Sequence, residues 1–335
     1  MSNRQAEARL HRQSGRALSR VLLNPEVGVL IPIIILSVIT TSIKPAFFTW
    51  RYFASILTGS IFIGAAAMGE GFTIMSGEID LSVGMNGTLS GVMAAYACIN
   101  WGFGIIPTIL AGLATGALVG AINGFCVTKL RLSSWITTLA TQFICSGLAV
   151  TISNGYPMPI TSLGTTGFTR ARPLGLSWLF FIFIGLIIIS DLVIRKTKFG
   201  YEIRAVGGNR EAAQMAGINV NRVKMLVFIV SGLFAAIGGL FDVFANATAS
   251  SSFGAGREFR AIICVAIGGI SMSGGSGSMY GAGLGVLLFH TLWYALRILK
   301  VDTNLQLVLI GAILLMSVSL DIFRKRVEAR RMISA

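Results

Sequence analysis

"GGNREAAQMAGIN", residues 207–219, is a polar stretch with helix signals, set in a chain that is 54% hydrophobic. Asn209 can cap a helix, Glu211 falls in the first turn where the helix dipole favours an anion, and Gly217 can end the helix in the left-handed conformation. These signals predict a helix of about two turns, too short to be stable alone and too polar to insert into a bilayer. The helix must therefore rest on something, and a solvated loop helix is the simplest reading of these facts alone.

Outward from this insert, the sequence turns apolar on both sides. Only 12% of the 335 residues are Asp, Glu, Lys or Arg, about half the usual fraction, so a soluble surface could hardly be covered. Several uncharged stretches have the roughly 17 to 25 residues that an α-helix needs to cross about 30 Å of hydrocarbon. The expected fold class is an all-α polytopic membrane protein of about ten helices, over 27–43, 54–75, 81–100, 103–127, 133–153, 175–194, 223–246, 259–272, 279–296 and 303–320.

The net charge is +14, which could suggest nucleic acid, but the basic residues sit between the apolar runs. Arg4, Arg9, Arg12, Arg16 and Arg20 precede the first run, and Arg324, Lys325, Arg326, Arg330 and Arg331 follow the last. That pattern fits cytoplasmic ends under the positive-inside rule. With the N-terminus inside, the loops near 76–80, 128–132, 195–222 and 273–278 also fall inside. Counting Lys224 with the long loop, nineteen of the 27 basic residues then lie on that side. The expected organisation is a basic segment 1–26, a transmembrane domain 27–320 with its long loop at 195–222, and a basic tail 321–335. The first segment lacks a cleavable signal pattern and is expected to be retained.

Chemistry-bearing motifs are scarce. Cys98, Cys126, Cys145 and Cys264 are scattered singly through apolar segments without metal or redox spacing, and His11 and His290 are isolated. Neither a metal site nor a catalytic triad is expected. No GxxxxGK[ST] occurs, and "GGISMSGGSGS" (268–278) lacks the phosphate-reaching lysine, so it reads as a turn between helices. The fragment GAGLG (281–285) has no preceding strand and reads as helix packing. Gly112, Gly116, Gly120 and Gly124 stand four apart on one helix face, and Gly277, Gly281 and Gly285 repeat the device. Such stripes let neighbouring backbones approach closely.

Four carboxylates stand in or beside predicted spans: Glu70, Glu78, Asp80 and Asp242. Intramembrane carboxylates usually face a bundle interior or a wet cavity. In "GEIDLSVG" (77–84), Asp80 either caps the next helix with help from Ser82, or lines or gates a pathway together with Glu78. Glu70 and Asp242 either contact a hydroxyl-bearing solute or pair with interior donors.

"GYEIRAVGGNREAAQMAGINVNRVK" (200–224) resembles the cytoplasmic loop of permease subunits of bacterial ribose-type sugar ABC importers, a group related to branched-chain amino-acid permeases. "GEIDLSVG" (77–84) and "IGGISMSGGSGSMYGAGLG" (267–285) resemble two further signatures of that family, in the same order. The likeness covers about 50–320. It implies a type II-like importer bundle of roughly ten helices, serving a monosaccharide or sugar-like solute. The implied partners are a second copy or a related permease, a separate ATPase subunit holding ATP and magnesium, and a periplasmic sugar-binding protein. The implied location is the bacterial inner membrane, with both termini cytoplasmic. The chain itself would hold no cofactor and hydrolyse no ATP.

By the same resemblance, Glu211, Ala212, Ala213 and Gly217 match the EAA-x-x-x-G core, whose helix, capped here by Asn209, docks in the ATPase. The small residues Ala212, Ala213 and Ala216 would let it sit close. Two departures stand out: "INVNRVKMLV" (218–227) lacks a proline-containing tail, and Glu70 stands where the resemblance sets an apolar residue. The rival readings are an ion-coupled secondary transporter using Glu70 and Asp242, and a membrane-embedded enzyme, for which neither nucleophile nor metal cluster is found.

Overall fold

The computed structural model describes residues 25–160, 172–316 and 319. The arginine clusters of the N-terminal segment and of the tail lie outside these residues. So do Arg170 and the end of the final predicted span.

Among the described residues, regular structure is helical apart from one β-pair of two-residue strands, β1 (Met158–Pro159) with β2 (Thr248–Ala249). The helices are α1 (Pro25–Ile43), α2 (Trp50–Met75), α3 (Val83–Asn100), α4 (Ile105–Thr128), α5 (Ser134–Ser153) and α6 (Trp178–Lys196). They are followed by α7 (Lys198–Gly208), α8 (Arg210–Met215), α9 (Val220–Asn246), α10 (Arg257–Ile267), α11 (Met279–Ile298) and α12 (Thr303–Met316). A helix occupies each of the ten places that hydropathy marks, and α7 and α8 fill the polar insert.

Six of the described helices, α2, α4, α5, α6, α9 and α11, are long and apolar enough to cross a membrane. The count of ten full spans is not reproduced. The run at 259–272 was expected to be one span, but α10 has only 11 residues. At 1.5 Å per residue it covers about 16 Å, half of a hydrocarbon core. Gly268 and Gly269 end it, Gly269 with a φ of +87°. The backbone that continues from it is irregular, with Ile270 and Ser271 buried.

The centre of the bundle is α9, which packs most extensively on α4 and also on α2 and α3. Glycine permits the α4–α9 approach. A Cβ on Gly116 would overlap the carbonyl oxygen of Gly232, and one on Gly120 would overlap that of Phe228. Gly112 meets Leu240 and Ser90, and Gly124 meets Met225. Close backbones maximise dispersion contact where no hydrophobic force drives helices together. On α11, Gly281 abuts the Gly268 carbonyl and Gly285 that of Cys264. Gly277 is not part of that stripe: it lies in the turn before α11, at φ +143°, against Ile270.

One apolar core cluster draws on α2, α6, α7, α9, α10 and α11 and includes Ala213 of α8. A second joins α3, α4 and α5 with the β-pair. None of the four cysteines forms a disulfide, and three of them, Cys98, Cys145 and Cys264, are buried.

Candidate functional site

Loops 76–80, 128–132, 195–222 and 273–278 come together at one end of the bundle. The Gly275 N–H donates to the carbonyl of Met75 at 2.9 Å. A Cβ on Gly207 would overlap that same Met75 oxygen and lie 2.7 Å from the Gly275 nitrogen. Three chain segments thus meet backbone to backbone, which only glycine at 207 allows. Beside them is an open cleft of about 1040 Å³, lined among others by Gly77, Glu78, Arg131, Arg210, Gln214 and Lys224.

The polar insert is a chain of capped helices. Thr197 Oγ1 accepts from Gly200 N–H at 3.1 Å, Asn209 Oδ1 from Ala212 N–H at 2.9 Å, and Asn219 Oδ1 from Arg222 N–H at 3.0 Å. Each such cap is worth about 1 kcal/mol. Helix α8 ends in a Schellman motif: Gly217 at φ +81° donates to Gln214, and Ile218 donates to Ala213, both at 3.0 Å. A residue with a Cβ would strain there. Six residues that could not hold a helix alone are thereby fixed in one conformation.

The direction in which α8 faces corrects one expectation. Ala213 is 4% exposed and belongs to the main core, so its small side chain seats α8 on its own bundle. Ala212, Glu211, Gln214 and Ala216 face outward. Met215 is 90% exposed, a large apolar side chain at the tip of a polar element. Sequence reading missed Met215. In six residues there is no full hydrophobic period to show which face turns in.

The Nζ of Lys224 on α9 pairs with Glu78 Oε1, and each side chain is 11% exposed. This ties the 76–82 connection to the start of α9. Deeper, Asp80 is the hub of a buried polar network. Its Oδ1 accepts from Ser82 N–H at 3.0 Å and Ser82 Oγ at 2.5 Å, and its Oδ2 accepts from Ser231 Oγ at 2.7 Å. Ser82 Oγ accepts from Asn123 Nδ2 at 2.9 Å, and Asn123 Oδ1 accepts from Thr141 Oγ1 at 2.7 Å. One carboxylate therefore cross-links α9, α4 and α5 to the 76–82 connection. Asp80 does not act as the helix cap offered as one alternative. It bonds Ser82, the residue before α3, and Ser82 itself makes no side-chain cap bond.

Glu70 is fully buried on α2 and accepts from Asp80 N–H at 3.3 Å, while its Oε2 has no hydrogen-bond partner among the described residues. Asp242 lies elsewhere, paired with Arg257 Nη1 at 2.5 Å. Arg257 also donates to the Phe253 carbonyl at 3.1 Å. The sequence reading did not single out Asn123, Thr141 or Ser231. No group of three or more His, Cys, Asp or Glu side chains suited to a metal occurs among the described residues.

Residues 52–318 match the family described as branched-chain amino acid transport system / permease component. The ribose import permease protein of Bacillus subtilis (strain 168) is 35% identical over 303 residues, 89% of this chain and 92% of that protein. That of Escherichia coli (strain K12) is 31% identical over 302 residues, 87% of this chain and 92% of the relative. The L-arabinose transport system permease protein of the same strain is 32% identical over 303 residues, 90% and 92% respectively. No solved structure shows a significant match to the chain.

Proposed function

The chain belongs to the branched-chain amino acid transport permease family, and from that premise we propose how its geometry is used: as the translocation subunit of an ABC importer, with α8 as the contact through which a separate ATPase drives it. It is a multi-pass permease subunit and not an ATPase. Its solute is a monosaccharide or sugar-like compound, following the ribose and L-arabinose permeases it is similar to. A periplasmic binding protein delivers the solute, and a second copy or a related permease completes the membrane part in the bacterial inner membrane.

The observation that carries the coupling role is a polar helix, capped by Asn209, closed at Gly217 and seated through Ala213 on the core, that offers Met215 to the outside. Force applied there passes to α9 through Asn219 and to α2 through Gly207 and Met75. Such a lever suits the switching of packed helices between two arrangements. We place this end of the bundle, both termini and the domain limits 27–320 on the topology set by the basic residues, with about ten passes. In that topology α10 and the glycine-rich return after it together make one crossing.

Two measurements test this reading. Vesicles holding permease, ATPase and binding protein should take up a sugar only with ATP. Uptake by the permease alone, driven by a proton gradient, would replace the reading with the ion-coupled one. In intact cells, a single cysteine at exposed Gln214, in a background lacking the native four, should resist an impermeant thiol reagent. Rapid labelling from outside would invert the topology.

A further inference from the structure

A second polar pair lies far from α8 and apart from the Asp80 hub. Gln142 Nε2 on α5 donates to Glu258 Oε1 on α10 at 2.8 Å. Gln142 is the ninth residue of the membrane-length helix α5. That puts the pair about 12 Å from one end of the helix and about 17 Å from the other, at the depth where charge is most costly. Glu258 is 2% exposed.

The surroundings explain how a carboxylate persists there. Glu258 lies in the first turn of α10, and a Cβ on Gly84, in the first turn of α3, would sit 2.6 Å from Glu258 Oε2. The starts of α3 and α10 touch through Gly84 and Gly254, where a Cβ on either would meet the other's carbonyl. Two helix N-termini, each positive, thus converge on one carboxylate. The dipoles help the carboxylate to stay charged but give its second oxygen no hydrogen bond. That oxygen and Gln142 Oε1 are both buried, and neither has a hydrogen-bond partner among the described residues.

Two buried acceptors left open on one hydrogen-bonded pair, at a cost in stability, call for a donor that the described residues do not supply. We propose that Glu258 and Gln142 are solute-contacting, specificity-determining residues, whose open oxygens accept hydroxyl protons of a neutral polyol during its passage. The assignment rests on the importer reading above. Neutral donors fit better than a cation, because the nearby charges are already balanced. Arg257 is held by Asp242, and Arg260, on the same helix, lies over the Trp293 ring at 5.0 Å and leaves no excess negative charge. Gln142 and Phe259 are partly open to the exterior, Phe259 by 44%, so the pair stands one residue from an accessible face.

The test uses the complete permease, ATPase and binding-protein complex in liposomes, with D-ribose, L-arabinose, D-xylose and ribitol as probes. Glu258→Gln and Gln142→Met permeases should still assemble with the ATPase. Their uptake should fall about tenfold, the loss of one hydrogen bond to a charged group, and the order of preference among the probes should change. Unaltered rates and preferences in both variants would overturn the inference. Loss of assembly in both would overturn it too, by showing a pair that only holds the fold. ATP-dependent uptake of none of the probes by the wild type would remove the importer reading, and this inference with it.

Discussion

Residues 208–217 turn every side chain but that of Ala213 outward, whereas Ser76, Asp80 and Ser82 of the 76–82 connection are all 2% exposed or less. Both stretches are polar interruptions of an apolar chain, and their energetics are opposite. An outward polar group keeps its water and costs nothing to hold ready for another surface. An inward one must find its partners inside, and Asp80 finds three donor groups on Ser82 and Ser231. The first kind of break is available to a partner molecule, and the second is committed to the fold.

The contrast breaks most sharply at Asp80. Asp80→Leu leaves the Ser82 N–H, the Ser82 hydroxyl and the Ser231 hydroxyl without their acceptor. The expected loss is about 3–5 kcal/mol, read as thermal unfolding of the permease in detergent. A loss under about 1 kcal/mol would mean that the hub is replaceable and the contrast misplaced. Gly207→Ala sits between the two regimes, since its Cβ would press on the Met75 carbonyl. About 1–3 kcal/mol should be lost through backbone displacement, and coupled transport should fall with it. Undiminished stability would show that α7 moves freely past α2.

How much of this was legible in the sequence follows from what each signal depends on. The ten helix positions were readable because apolar runs and their polar breaks are local. The α4 stripe was readable because a period of four needs no knowledge of the neighbour, although the neighbour, Gly232, was not. The length of α10 was hidden, since Gly268, Gly269 and Ile270 continue an apolar run even though the helix has ended. The partners of Asp80 were out of reach for another reason: Ser231 lies 151 positions away and looks like any serine in a membrane helix. Glu258 was passed over because its depth comes from Gln142, 116 positions away, and not from its own surroundings in sequence. The motif residues of α8 were found by resemblance, but the division of labour between Ala213 and Met215 needed the tertiary fold.

The most direct test is at Met215, where the smallest effect on stability should accompany the loss of a partner. Met215→Asp adds a charge to a side chain that is 90% exposed, so thermal unfolding of the permease should stay within about 0.5 kcal/mol of wild type. In the same nanodisc preparation, affinity for the ATPase subunit should drop by about 2 kcal/mol, roughly 30-fold in Kd, as for an anchor lost from the centre of an interface. Unchanged ATPase affinity in a fully folded Met215→Asp permease would contradict the assignment of α8 as the docking helix.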